Sequence, residues 1–187
     1  MIEAGDRVLL VGEGREFFVR AGQGTLSTDK GQLDLGPVVG AAAGDVFTTH
    51  TGAKFVLRIP RPTDFFVHGK RSGAPMLPKD IGLVIAYTGM NRNDEVLDAG
   101  TGSGIAAIYF GGIAAHVKTY EVRPDFSALA QKNIKEAKLD NVEAVAADVL
   151  TAEGIYDVIH LDLQIATEHV VFAFDHLRAG GYMACYT

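Results

Sequence analysis

The apolar positions of this chain fall into two regimes. Up to about residue 60 they come in short β-type runs: Arg7–Val11, Glu16–Arg20, Val46–Thr49 and Lys54–Ile59. Glycines punctuate them, with Gly12-Glu13-Gly14 between the first two. Short apolar runs joined by glycine turns predict a small antiparallel β-domain over residues 1–60. Pro60-Arg61-Pro62 closes it, because proline cannot continue a central strand. Residues 61–78 read as a linker carrying Pro75 and Pro78. From Asp80 to Tyr87 the apolar spacing turns helical, and strands and helices then alternate. The pattern predicts strand 93–98, helix 104–115, strand 117–121, helix 125–138, strand 142–147, strand 156–161, helix 166–178 and strand 181–186. Such alternation predicts an α/β domain over residues 79–187, a doubly wound parallel sheet with helices on both faces. Ligands of such sheets lie at the carboxyl ends of the strands. Asp98, Glu121, Asp148 and Asp162 all fall at those predicted ends.

Composition adds bounds. Of 187 residues, 48% are hydrophobic, which predicts a packed core in one or two small domains. The opening Met1-Ile2-Glu3-Ala4-Gly5-Asp6 is acidic, unlike a start-transfer segment, and no apolar stretch reaches a membrane-spanning length. Cys185 is the one cysteine, so no internal disulfide forms and a reducing cytoplasm is the expected setting. The six histidines show no ligand spacing, and no metal site is expected. Net charge is -6, but Lys54, Arg58, Arg61, Lys70, Arg71 and Lys79 cluster against the single acid Asp64. A local basic stretch on an acidic chain can hold phosphates, so Lys54, Arg58, Arg61, Lys70 and Arg71 are candidate RNA contacts.

The candidate chemistry centres on Asp98-Ala99-Gly100-Thr101-Gly102-Ser103-Gly104. It follows the apolar run Glu95-Val96-Leu97 and opens into Ile105-Ala106-Ala107-Ile108, a strand, a glycine turn and a helix. Alternate glycines let backbone approach a bulky ligand. A dinucleotide fingerprint wants G-x-G-x-x-G; here the third glycine comes one residue early and Ile105 takes the fingerprint position. Asp98, two residues before Gly100, disfavours a pyrophosphate and favours a cationic ligand. Glu121, at the end of the next strand, suits a ribose diol.

This pattern resembles the first motif of class I S-adenosylmethionine methyltransferases. The resemblance implies a Rossmann-like sheet binding S-adenosyl-L-methionine through Asp98, Gly100, Thr101, Gly102, Ser103, Gly104 and Ile105, with Glu121 on the ribose. It further implies that Asp148, with Val149, meets the adenine amino group, and that Phe126 touches the adenosine. A complete sheet of this class has seven strands; this chain reaches five, so the last hairpin is expected to be missing, either through C-terminal truncation or because the closing strands come from elsewhere.

Three segments narrow the family. Met76-Leu77-Pro78-Lys79-Asp80-Ile81 resembles the Y-P-K-D-A segment of tRNA adenine-N1 methyltransferases acting on the T-loop. Val96–Gly104 resembles their V-L-E-A-G-T-G-S-G, and Tyr120-Glu121-Val122-Arg123-Pro124-Asp125-Phe126 their Y-E-x-R-x-D-F. The domain layout agrees with the archaeal branch. Two departures stand out: the family's F-L-D-L-P reads His160-Leu161-Asp162-Leu163-Gln164 here, and the chain has no tryptophan. The resemblance implies tRNA as substrate and a homotetramer. It gives Asp162 the catalytic role of accepting a bond from the exocyclic amine of a flipped-out adenine while N1 attacks the methyl group. Methyl transfer to another substrate, a protein isoaspartyl carboxylate or a tetrapyrrole, is an alternative, and so is a non-catalytic RNA-binding subunit with the same fold.

Overall fold

A computed structural model describes residues 1–186; the expectation attached to the chain's last residue, Thr187, lies outside the described residues. The chain divides into two compact units, Met1–Gly69 and Lys70–Thr187.

The first unit is an antiparallel sheet in the order β2-β1-β6-β5. Its strands are β1 (Arg7–Gly12), β2 (Arg15–Arg20), β5 (Val46–Thr48) and β6 (Lys54–Arg58). Glu13 and Gly14 join β1 to β2 with φ of 53° and 69°. That is the two-residue positive-φ turn whose twist matches a hairpin. Alternation sets the inner face: Phe55 and Leu57 are buried while Lys54, Val56 and Arg58 face outward. Val8, Leu10, Leu33 and Val38 complete this core. A separate hairpin, β3 (Thr25–Thr28) and β4 (Gly31–Asp34), has no counterpart in the sequence reading. Its strands carry one leucine each, Leu26 and Leu33, too few to show a period of two. Part of the expected linker is a helix, α1 (Pro62–His68). Proline at its first turn is preorganised for helix, and Asp64 Oδ2 accepts the Arg61 N–H at 2.7 Å.

The second unit holds a five-stranded sheet in the order β11-β10-β7-β8-β9, parallel throughout. The strands are β7 (Glu95–Ala99), β8 (His116–Tyr120), β9 (Val142–Val145), β10 (Tyr156–Asp162) and β11 (Leu177–Tyr186). Helices α2 (Pro78–Thr88), α3 (Ile105–Gly111), α4 (Pro124–Glu136) and α5 (Thr167–His176) alternate with them. Central strands of a parallel sheet are buried on both sides and so read as unbroken apolar runs. Val96, Leu97, Val158, Ile159 and Leu161 are each 1% exposed or less. Helix α3 ends earlier than its apolar run suggests, at Gly111-Gly112. A Cβ on Gly111 would lie 2.2 Å from Val142, so the helix end seats directly on β9. The chain lays β8 and β9 to one side of β7 and β10 and β11 to the other. The order reverses between β7 and β10, and the crevice at their carboxyl ends is the ligand position of such a sheet.

Candidate active site

The loop after β7 is held by its own backbone. Gly100 N–H and Thr101 N–H both donate to Tyr120 O, at 3.0 and 3.3 Å, and Gly104 N–H donates to Thr101 O at 2.8 Å. Gly102 N–H donates to Glu121 Oε2 at 3.0 Å. Below the loop, buried Asn133 donates through Nδ2 to Ser103 O and to Lys70 O. Gly100, at φ 86°, passes so close to β10 that an added Cβ would lie 1.9 Å from Asp162 O. Only glycine allows both that dihedral and that approach. Gly102, at φ 55°, has nothing nearer its Cβ position than 3.8 Å, so it leaves open space for a ligand.

A directional hydrogen-bond chain lies beneath. Thr119 Oγ1 donates to Asp98 Oδ2 at 2.6 Å, so Thr101 Oγ1 is the donor in its 2.5 Å contact with Thr119. Asp98 Oδ1 accepts His160 Nδ1–H at 2.7 Å. Asp98 and His160 are 1% and 0% exposed. The structure thus places Asp98 behind the loop, as an anchor for Thr101, with almost no exposed surface of its own.

Two cavities open at the crevice. One, about 380 Å³, is lined by Glu121, Asp148, Val149, Gln164 and His169 among others. The other, about 260 Å³, is lined by residues 72–76, the loop from Gly100 to Ser103, Ile105 and Phe126. Gly100, Arg123 and Asp162 line both. The loop and the predicted carboxylates Glu121, Asp148 and Asp162 are therefore brought together, while Phe126 lies on the cavity away from Asp148 and Val149. Asp148 Oδ1 accepts Leu150 N–H at 2.9 Å, which fixes its side chain at the start of a short 3-10 turn. Gly104 lines neither cavity; a Cβ there would press on Ala130 of α4 at 3.2 Å, so it serves helix packing.

Burial pushes the Asp162 carboxyl above the ordinary aspartate range; Asp98 adds to the rise and His160 opposes it. Burial also raises Glu121, but bonds from the Arg123 side chain, the Arg123 N–H and the Gly102 N–H outweigh it and hold this carboxyl below its usual range. The sequence reading missed Arg123, His160, His169 and residues 72–76. His160 and Asp98 meet because their strands pair in register, information a sequence pattern does not carry.

Of the basic candidates, Lys54, Arg58 and Arg61 belong to the first unit, and Lys70 and Arg71 open the second. Arg58 is paired with Glu16 and Asp64, at 3.8 and 3.6 Å. Among the described residues no group of three or more His, Cys, Asp or Glu could hold a metal ion. No helix of the described residues is long and apolar enough to cross a membrane.

These features suit a nucleoside sulfonium: open backbone at Gly102, a ribose-type carboxylate at Glu121, and a buried Ser103 hydroxyl beside the second cavity that has no partner among the described residues. A family model described as ribosomal RNA adenine dimethylase matches residues 79–174. The chain is similar to the tRNA (adenine(57)-N(1)/adenine(58)-N(1))-methyltransferase TrmI of Methanocaldococcus jannaschii, 35% identical over 130 residues. That match covers 67% of this chain and 45% of the relative, so the chain spans less than half the relative's length. A solved S-adenosylmethionine-dependent O-methyltransferase from Thermotoga maritima superposes with a TM-score of 0.86 at 28% identity, covering 98% of this chain and 72% of that one. The solved tRNA (m1A58) methyltransferase TrmI of Aquifex aeolicus gives 0.71 at 26% identity, covering 87% and 66%. The chain belongs to the family that the ribosomal RNA adenine dimethylase model describes, and within it the chain is TrmI-like.

Proposed function

We propose that this chain transfers a methyl group from S-adenosyl-L-methionine to N1 of a T-loop adenine in tRNA. The observation that carries the reading is Asp162: a half-buried carboxylate on the wall common to both cavities, its backbone against Gly100. The names of the relatives supply the nucleic-acid class.

When bound, the cofactor supplies an electrophilic methyl group on a positive sulfur. Adenine N1 has an in-plane lone pair and needs alignment rather than a strong base. In this reading Asp162 accepts a hydrogen bond from the exocyclic amine, which orients the ring and opposes the positive charge that grows on it. Glu121 holds the ribose of the cofactor and Asp148 its adenine amino group. Gly100, Thr101, Gly102, Ser103 and Ile105 form the floor, with Asp98 and Gly104 supporting it and Phe126 and Val149 on the walls. Lys54, Arg61, Lys70 and Arg71 contact phosphates, which offset the few kcal/mol of unstacking the target base. Arg58 contributes less, since Glu16 and Asp64 already neutralise it. Assembly as a homotetramer and a cytoplasmic location belong to the same reading.

The test is tritium transfer from labelled S-adenosylmethionine to a tRNA transcript, with Asp162→Ala alongside. Label in N1-methyladenosine that disappears in the variant supports the assignment. Label on an isoaspartyl peptide but not on tRNA would overturn the substrate class. No binding heat with S-adenosylhomocysteine would overturn the enzyme itself.

A further inference from the structure

Arg123 is the residue at the crevice whose position the proposed chemistry does not explain. Its backbone N–H and Nε both donate to Glu121 Oε1, at 3.1 and 2.9 Å. Its Nη2 donates to Oε2 at 3.1 Å, where Gly102 N–H also arrives at 3.0 Å. A carboxylate has about four lone-pair positions, and these four donors fill them. The Glu121 side chain is 3% exposed, so no further face of the carboxylate is open. The guanidinium carbon lies over the Phe126 ring, 3.5 Å from its centroid.

The two kinds of donor differ. The Gly102 and Arg123 N–H groups belong to the backbone, one on each oxygen. The other two donors are the guanidinium fork, again one on each oxygen. Two adjacent donors aimed at the two oxygens of one carboxylate is the pattern a vicinal diol presents. We propose that Arg123 is an internal stand-in for the cofactor's ribose diol, bound to Glu121 in the ligand-free protein and displaced when the nucleoside enters. The inference rests on the cofactor reading above. When the fork leaves, each oxygen keeps its backbone donor and regains one acceptor position, so Glu121 is already aimed and needs no rearrangement. Arg123 lines both cavities, so the departure of its side chain frees space beside each. Arg123 is thus a positioning residue that sets cofactor affinity by competing for its site.

The test is calorimetry on the full chain with S-adenosylhomocysteine, adenosine and 2′,3′-dideoxyadenosine, for wild type, Arg123→Met and Arg123→Lys. Lysine keeps a cation near Phe126 but lacks the fork, and it serves if the methionine variant folds poorly. Affinity for S-adenosylhomocysteine and adenosine should rise roughly two- to fivefold in both variants, the range set by an ion pair whose arginine is half exposed. Affinity for the dideoxynucleoside should stay the same, because that ligand leaves the fork in place. The gain should shrink as sodium chloride rises from about 50 to 500 mM, since salt already loosens the wild-type pair. Weaker binding of S-adenosylhomocysteine in both variants would make Arg123 a ligand and overturn the proposal. An equal gain for adenosine and its dideoxy analogue would overturn it too, as would a wild type that binds the analogue but not S-adenosylhomocysteine. No heat with any of the three on wild type would remove the cofactor reading itself.

Discussion

Gly100→Ala separates the two duties of the glycine loop. The added Cβ would lie 1.9 Å from Asp162 O and 2.8 Å from its carbonyl carbon. Comfortable contact begins at 3.4 Å, so β10 and the loop must part by about 1.5 Å. Holding a non-glycine residue at positive φ costs about 1–2 kcal/mol, and forcing packed backbone apart costs about 1–3 kcal/mol more. A total near 3 kcal/mol lowers the melting temperature by roughly 6–12 °C for a chain of this size. The shift falls on Asp162, and a misplacement of about 1 Å costs on the order of 100-fold in rate. Gly102→Ala is the contrast. Its Cβ meets nothing closer than 3.8 Å, so only the dihedral strain of about 1 kcal/mol applies to the fold. That methyl group instead occupies space left for the cofactor, and binding of S-adenosylhomocysteine falls. Thermal melts, calorimetry and tritium transfer read the three quantities separately. A Gly100→Ala protein melting within about 2 °C of wild type, or a Gly102→Ala protein that melts lower still, would refute the assignment of steric duty to one glycine and ligand space to the other.

Other outcomes follow from the same geometry. Burial raises the Asp162 pKa in the folded chain, so its ionised form is disfavoured there; that group's contribution to stability is full below the unfolded value of about 3.9 and is lost as pH rises through the raised folded value. Asp162→Asn should therefore melt higher than wild type at neutral pH, with the gap closing in acid, while methyl transfer is lost; equal melting at neutral pH counts against the buried carboxylate. The wild-type rate should show an acidic limb above the ordinary aspartate range, because only the carboxylate accepts the amine's bond. His160→Phe leaves Asp98 buried with Thr119 as its remaining side-chain partner and should cost about 3 kcal/mol in urea unfolding; a loss under about 0.5 kcal/mol would show that the pair does not stabilise the fold. Lys54→Ala should lower the salt slope of tRNA binding by about 1. Arg58→Ala should change it less, and the reverse order would contradict the neutralising role of Glu16 and Asp64.

Much of the second unit was legible because its signals are local. A buried parallel strand reads as an apolar run, and β7, β8 and β10 lie within two residues of their expected bounds. Glycine spacing marked the loop, and acids at strand ends marked the rim that Glu121, Asp148 and Asp162 share. What escaped was set by partners distant in sequence. The fate of Asp98 depends on Thr119 and His160, which approach it only through strand register. The guanidinium of Arg123 turns back on Glu121, a rotamer choice no periodicity encodes. Helix α1 is a different case: Pro62 and Asp64 are an ordinary start signal, hidden by reading the basic residues around them as a linker.

The clamped loop bears on the entropy of recognition. A stretch with three glycines at positive φ invites the picture of a flap that orders around its guest. Here the amides of Gly100, Thr101, Gly102 and Gly104 all have acceptors before any guest arrives. Slow hydrogen–deuterium exchange at these four amides in the free protein is the corresponding signature, and complexation then sacrifices little chain freedom.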